Sequence, residues 1–161
     1  MNPNSGRVGA IRLVVPTIDD RQPSAKGVFR AKMIKQEKID YWLKSAEYDW
    51  MVAGHLFEKG DYAYSLFFGH LTIEKILKAI FVSKFDEHPP FTHRLTYLAE
   101  KMELVLSPEK HELLEIITDF NLESRYPDEK FSFYKRCTKE FAGENIKKIE
   151  EIRGWLLQQA Q

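Results

Sequence analysis

The chain has a single cysteine, Cys137, among its 161 residues. One cysteine excludes a disulfide within the chain and a cysteine-rich zinc site, and it suits a reducing compartment. No apolar run approaches the roughly 18–20 residues that a membrane span needs, and the N-terminus lacks a signal-peptide pattern. These absences predict a cytoplasmic protein that does not engage the membrane.

An excess of charge of one sign is also lacking, because 24 Lys and Arg residues balance 24 Asp and Glu residues. A general polyanion binder uses a strongly basic face, so this balance argues against non-specific nucleic-acid binding. The chain has no Gly-x-Gly-x-x-Gly or Walker-type loop, no Gly-x-Ser-x-Gly elbow and no Glu-x-x-His pair. We therefore expect no cofactor and no metal.

What the sequence does contain is helical periodicity from Ile39 onward. Apolar side chains recur there at steps of three and four residues, which places them on one face of a helix: Ile39, Leu43, Ala46, Trp50, Ala53 and Phe57. Gly60 is expected to end this helix, and Asp61 is an N-cap candidate for the next one. A connection this short predicts an antiparallel hairpin, whose second helix ends before Pro89-Pro90.

Three further helices follow, and residues 123–136 are expected to form a loop. Thr92 is a cap candidate for the third helix, Ser107-Pro108-Glu109 is a helix start signal, and the last helix begins near Thr138. The predicted inward residues of the third and fourth helices are Leu95, Leu98, Met102, Val105, Leu113, Ile116, Ile117 and Phe120. The predicted fold is an all-α, antiparallel up-and-down bundle of about five helices over residues 36–158.

Residues 1–35 lack this periodicity and are predicted to be a flexible N-terminal arm. Met33 opens a segment that looks like a natural protein start. We therefore hypothesise that the residues before it are not part of the native protein.

Four blocks of sequence, in order, resemble the HEPN domain family. They are the segment 41–49, the segment 68–79 with Glu74-Lys75 and Lys78, Pro89-Pro90 followed by Thr92-His93, and Asn121 with Arg125-Tyr126-Pro127-Asp128. The resemblance covers about 120 residues. It implies a helical bundle that is often dimeric and often accompanies a minimal nucleotidyltransferase as a two-component, toxin–antitoxin-like pair. Some members of the family are ribonucleases, and others bind nucleotides.

The ribonuclease branch of the family uses an Arg followed, after four to six residues, by a His. No arginine of this chain has a histidine at that spacing. Lys130, Phe131 and Ser132 stand where the histidine after Arg125 would fall. An enzymatic function is therefore disfavoured, and Arg125 and His70 remain only weak catalytic candidates.

The candidate ligand-binding residues are His70, Glu74, Lys75, Lys78, His93, Arg125 and Tyr126. Each has a structural alternative. His70 lies in an apolar stripe and suits a core histidine, while Glu74 and Lys78 are spaced for an ordinary ion pair. His93 suits the polar start of a helix, and Arg125 can close the bundle by bonding helix carbonyls. Arginine can instead grip a phosphate, and Tyr126 can stack on a base.

We interpret the chain as a HEPN-domain protein that binds a nucleotide, an RNA end or a minimal nucleotidyltransferase partner. Two alternatives stay open: a ribonuclease that uses Arg125 with His70 or His93 as the proton donor, and a structural interaction subunit without a ligand.

A homodimer is expected, because the aromatic residues of the first hairpin offer more apolar surface than a small bundle buries: Trp42, Trp50, Phe57, Phe67 and Phe81. Cys137 is expected to be inert.

Overall fold

The computed structural model of the chain describes residues 25–160, with side chains from residue 34 onward. This part of the chain forms six helices and no strand: α1 (Ala25–Lys59), α2 (Tyr62–Phe85), α3 (Leu95–Lys101), α4 (Pro108–Arg125), α5 (Ser132–Arg136) and α6 (Lys139–Gln159). The prediction of an all-α helical bundle is confirmed. None of these helices is long and apolar enough to cross a membrane.

A tight turn joins α1 to α2. Gly60 adopts a left-handed conformation with φ +86°, which glycine accepts without a steric penalty. The Asp61 N–H then donates to the carbonyl of Leu56 at 2.9 Å, which satisfies one carbonyl at the end of α1. The glycine stop is confirmed. Asp61 occupies the predicted N-cap position of α2, but its side chain makes no cap hydrogen bond.

Helix α2 is the centre of the bundle and contacts each of the other five helices. The core lies between its apolar residues and those of α4 and α6, and the fully buried members include Leu66, Ile73, Leu77, Leu114, Ile117, Ile149 and Leu156. Gly69 permits close approach of α2 and α6, because a Cβ there would lie 2.8 Å from Cδ1 of Ile149. The packing of α2 against these helices therefore fixes the positions from which its surface side chains project.

Helix α1 begins at Ala25, well before the point at which the apolar period starts. Residues 25–35 were predicted to belong to the arm, whereas the structure includes them in α1. The segment contains two Ala, three Lys, one Arg and one Met, which favour helix without forming an apolar stripe. The rest of the predicted arm, residues 1–24, and the hypothesis about its origin lie outside the described residues.

The starts of α4 and α6 are as predicted, because Ser107 and Thr138 accept hydrogen bonds from the N–H groups of Lys110 and Phe141. The start of α3 differs. Its first N–H, that of Leu95, donates to the Thr118 hydroxyl of α4 at 3.2 Å. Thr92 lies outside α3 and accepts instead from the N–H of Arg94. Capping by a residue distant in sequence is not visible in a local pattern.

The predicted loop 123–136 contains the short helix α5. Asp128 starts it, because its carboxylate accepts from the N–H and the hydroxyl of Ser132 at 2.7 and 2.6 Å. These bonds with Ser132 lower the pKa of Asp128.

Two predicted core residues are at the surface instead. Val105 is 91% exposed beyond α3, and Ile116 lies on the outer side of α4.

Candidate functional site

Four of the predicted site residues meet around one carboxylate. Glu74 on α2 is buried, and its Oε1 accepts from Nζ of Lys78 at 2.6 Å. Its Oε2 lies 3.2 Å from Nε2 of His70 and 2.8 Å from Nδ1 of His93. We call His70, Glu74, Lys78 and His93 the Glu74 cluster.

Local sequence explains three of these positions. His70, Glu74 and Lys78 follow one another at intervals of four residues, so they lie on one face of α2. His93 arrives from the segment after α2, which ends at Phe85 with Asp86 in a left-handed conformation. Pro89-Pro90 prevent a helix in this segment, and the chain turns back towards α2. His70 is also tied to α4, since its Nδ1 lies 3.1 Å from the carbonyl oxygen of Ile117.

The electrostatics of the cluster favour an ionised carboxylate. Burial raises the pKa of Glu74, but hydrogen bonds with His70, Lys78 and His93 outweigh burial and lower the pKa from 4.5 to about 2. Glu74 is therefore a carboxylate at neutral pH, and it has donors on both of its oxygens.

Both candidate lysines are already paired. Nζ of Lys75 lies 2.6 Å from Oδ2 of Asp49, a buried carboxylate on α1. Nζ of Lys78 bonds Glu74 and also lies 5.2 Å from the ring centroid of Trp42. Sequence reasoning missed Asp49 and Trp42 as partners. One signal was present, because Asp49 falls three residues after Ala46 and four before Ala53, on the buried face of α1.

Arg125, the last residue of α4, is held in a different way. Its Nε donates to the carbonyl of Asn121 at 3.2 Å. Its guanidinium carbon lies 5.9 Å from the ring centroid of Phe67 and 5.3 Å from that of Tyr126. No carboxylate among the described residues pairs with Arg125, and Tyr126 is 70% exposed. A guanidinium and an aromatic ring are thus both accessible at this end of α4.

The Glu74 cluster and the pair formed by Arg125 and Tyr126 are separate groups in the structure. Arg125 packs on Phe67, one helical turn before His70, but no hydrogen bond or ion pair of the described residues links it to the Glu74 cluster. His70 is fully buried, and each of its ring nitrogens faces an acceptor. The ribonuclease alternative therefore lacks a direct contact between Arg125 and either candidate donor, His70 or His93.

A cavity of about 360 Å³ lies elsewhere, between the first helix and the segment after α2. Its lining includes Ile34, Trp42, Val82, His88 and Pro89. None of the predicted ligand-binding residues belongs to this lining. The charged and titratable residues of the lining are Glu37, Lys38, Glu87 and His88, and none of them belongs to the Glu74 cluster.

The fold and these residues define a small helical bundle with a charged cluster on its central helix. The HEPN domain family matches residues 39–159, and the chain belongs to this family. HEPN domains are nucleotide- and RNA-related modules.

The chain is also similar to a solved structure, that of TT1696 from Thermus thermophilus, with a TM-score of 0.65 and 16% sequence identity. The similarity covers 76% of this chain and 98% of the other. At this identity the likeness shows the fold alone. A search of curated proteins gave no match.

Proposed function

We propose that this HEPN-domain protein binds a nucleotide, or the end of an RNA, through Arg125 and Tyr126. The observation that carries the proposal is the packing of the Arg125 guanidinium against the rings of Phe67 and Tyr126, with no carboxylate partner among the described residues. A guanidinium offers paired N–H donors to a phosphate, and an exposed tyrosine ring offers a stacking surface to a base.

The remaining candidates have a supporting role in this proposal. Lys75 and Lys78 are engaged by Asp49 and Glu74, so a phosphate would have to compete with an ion pair at each lysine. His70 and Glu74 are buried, whereas Arg125 and Tyr126 are exposed. The Glu74 cluster holds α2 against α4 and the segment before α3, and it thereby fixes the helix on which Phe67 supports Arg125.

The test is a titration of nucleotides and of short phosphate-ended RNAs against the wild type, Arg125→Ala, Arg125→Lys and Tyr126→Ala. We expect Arg125→Ala to weaken binding roughly tenfold to a hundredfold, because hydrogen bonds to a charged group contribute about 1.5–3 kcal/mol. Arg125→Lys should recover part of the loss, since lysine restores the charge without the paired donors.

Arg94→Ala is the matched control, because Arg94 is an exposed arginine at the start of α3 and outside this group of residues. Equal affinities of the wild type and Arg125→Ala would overturn the proposed site.

The proposal includes a protein partner. The family resemblance gives a minimal nucleotidyltransferase as the expected one, in a toxin–antitoxin-like pair. The exposed position of Arg125 and Tyr126 supports this, because a ligand held at an open surface is accessible to a second protein. Co-purification with such a partner, without any nucleotide or RNA binding, would favour the structural-subunit alternative.

We also propose a homodimer, but on different residues from those that the sequence indicated. Trp50 and Phe57 pack against the main core, Trp42 packs on a smaller buried group and Phe81 is buried. The apolar residues that remain uncovered on α1 include Tyr41 and Tyr48, which are 64% and 63% exposed. Tyr48 follows Tyr41 at a spacing of i, i+7, so the two side chains lie on the same side of the helix.

We expect light scattering to give twice the chain mass of 18.9 kDa for the wild type. Tyr41→Glu combined with Tyr48→Glu should give the monomer mass, because two carboxylates on each protomer would be buried in the interface without a partner. Tyr126→Glu, an equally exposed tyrosine outside α1, should remain dimeric. A monomeric wild type would contradict the homodimer.

A further inference from the structure

Three potential metal ligands converge on the surface of α2. Nε2 of His70, a carboxylate oxygen of Glu74 and a ring nitrogen of His93 all lie within 4.8 Å of one another. Two imidazoles and one carboxylate form a ligand set that suits zinc and leaves a further coordination position open. His70 and Glu74 come from successive turns of one buried helix, so two of the three ligands are already fixed in orientation.

The hydrogen bond of His70 to α4 determines which nitrogen is available. The carbonyl oxygen of Ile117 can only accept, so Nδ1 of His70 carries a proton. Nε2 is then the ring nitrogen that is directed at Oε2 of Glu74, at a distance of 3.2 Å.

The same arrangement is typical of metal-binding histidines. In metal sites the ring nitrogen that does not bind the metal usually donates to a carbonyl or a carboxylate, which orients the ligand and raises its basicity. Ile117 supplies such a carbonyl here. Lys78 bonds the other oxygen of Glu74, so Oε2 is the oxygen that is directed at the two imidazoles.

We infer that His70, Glu74 and His93 form a binding site for one divalent transition-metal ion, with zinc as the expected occupant. The His93 side chain is 55% exposed, so the ion can enter from solvent on that side and retain water at its remaining position. The sequence alone predicted no metal, because the third ligand lies nineteen residues beyond Glu74 and meets it only after the Pro89-Pro90 turn.

The site is independent of the proposed nucleotide site. None of its three ligands bonds Arg125 or Tyr126. It is therefore tested without any nucleotide, and its failure would leave the Arg125 proposal unaffected.

The experiment uses the full chain without an affinity tag, after removal of metal with a chelator. We expect calorimetry to show one Zn²⁺ per chain, and Co²⁺ to give the visible absorption bands of tetrahedral coordination. His93→Ala should weaken Zn²⁺ binding at least about tenfold and abolish the Co²⁺ bands, because it removes one ligand. The His93 side chain is largely exposed, so this variant is expected to fold, and circular dichroism checks this.

His55→Ala is the matched control, because His55 is an exposed histidine on α1 and outside the cluster. It should bind Zn²⁺ as tightly as the wild type. The inference is overturned if the wild type binds no Zn²⁺, or if a folded His93→Ala variant binds it as tightly as His55→Ala does. A proton alone would then occupy the space between His70 and Glu74.

Discussion

Replacement of Phe120 by alanine is expected to lower the free energy of unfolding by about 3–5 kcal/mol. Phe120 on α4 is 2% exposed. Its ring centroid lies 6.0 Å from that of Phe133 on α5 and 6.4 Å from that of Phe141 on α6. Truncation would remove the apolar group that joins these three helices, and it would leave a cavity that the surrounding helices fill only in part.

Chemical denaturation of the wild type and of Phe120→Ala measures this loss. Phe91→Ala is the control, because Phe91 is 96% exposed and its ring only stacks on His88 at 5.1 Å. Its effect should stay within about 0.5 kcal/mol, as for most surface substitutions. A loss below about 1 kcal/mol for Phe120→Ala would contradict the packing described for α4, α5 and α6.

Replacement of Glu74 by alanine is expected to cost about 3 kcal/mol. The variant would leave the buried His70 and Lys78 without their carboxylate, and removing one partner of a buried ion pair costs about 3–5 kcal/mol. The lower end of that range is expected here, because the exposed edge at His93 admits water. Glu47→Ala is the control, since this carboxylate is 67% exposed where it pairs with Arg153. Its loss should stay below about 1 kcal/mol.

The contribution of Glu74 should also depend on pH. The folded chain lowers the pKa of Glu74 from 4.5 to about 2, so the unfolded chain takes up this proton at a higher pH. The stabilisation is fully present above pH 4.5 and is lost as the pH falls towards 2. The difference in unfolding free energy between the wild type and Glu74→Ala should therefore shrink between about pH 6 and about pH 3. An equal difference at both values would contradict the lowered pKa.

Much of the fold could be predicted because its stop and start signals are local. Gly60 turns the chain, Pro89-Pro90 excludes helix, and Ser107 and Thr138 cap the helices that follow them. The differences between the prediction and the structure have another origin. The start of α3 depends on Thr118, which approaches from another helix. The N-terminal part of α1 has helical propensity without an apolar stripe, so a search for periodicity does not detect it.

The sequence named the members of the Glu74 cluster as candidate residues, but it did not show how their side chains are arranged. The spacing of His70, Glu74 and Lys78 places them on one face, but the choice between a solvated ion pair and a buried cluster depends on His93 and on the carbonyl of Ile117. The His93 side chain and the Ile117 carbonyl come close to this face only when the helices pack together. The sequence likewise indicated both lysines as candidate ligand-binding residues together with Arg125, whereas each lysine has its own carboxylate partner.

The single cysteine has a practical consequence. Cys137, between α5 and α6, is 7% exposed, and burial raises the pKa of its thiol to about 11. This agrees with the expectation that it is inert, since the thiolate is the reactive form. A thiol reagent can therefore modify the chain only when the α5–α6 junction opens. Because no second cysteine contributes to the signal, the rate of modification reports the local opening equilibrium of this one junction, without an introduced probe.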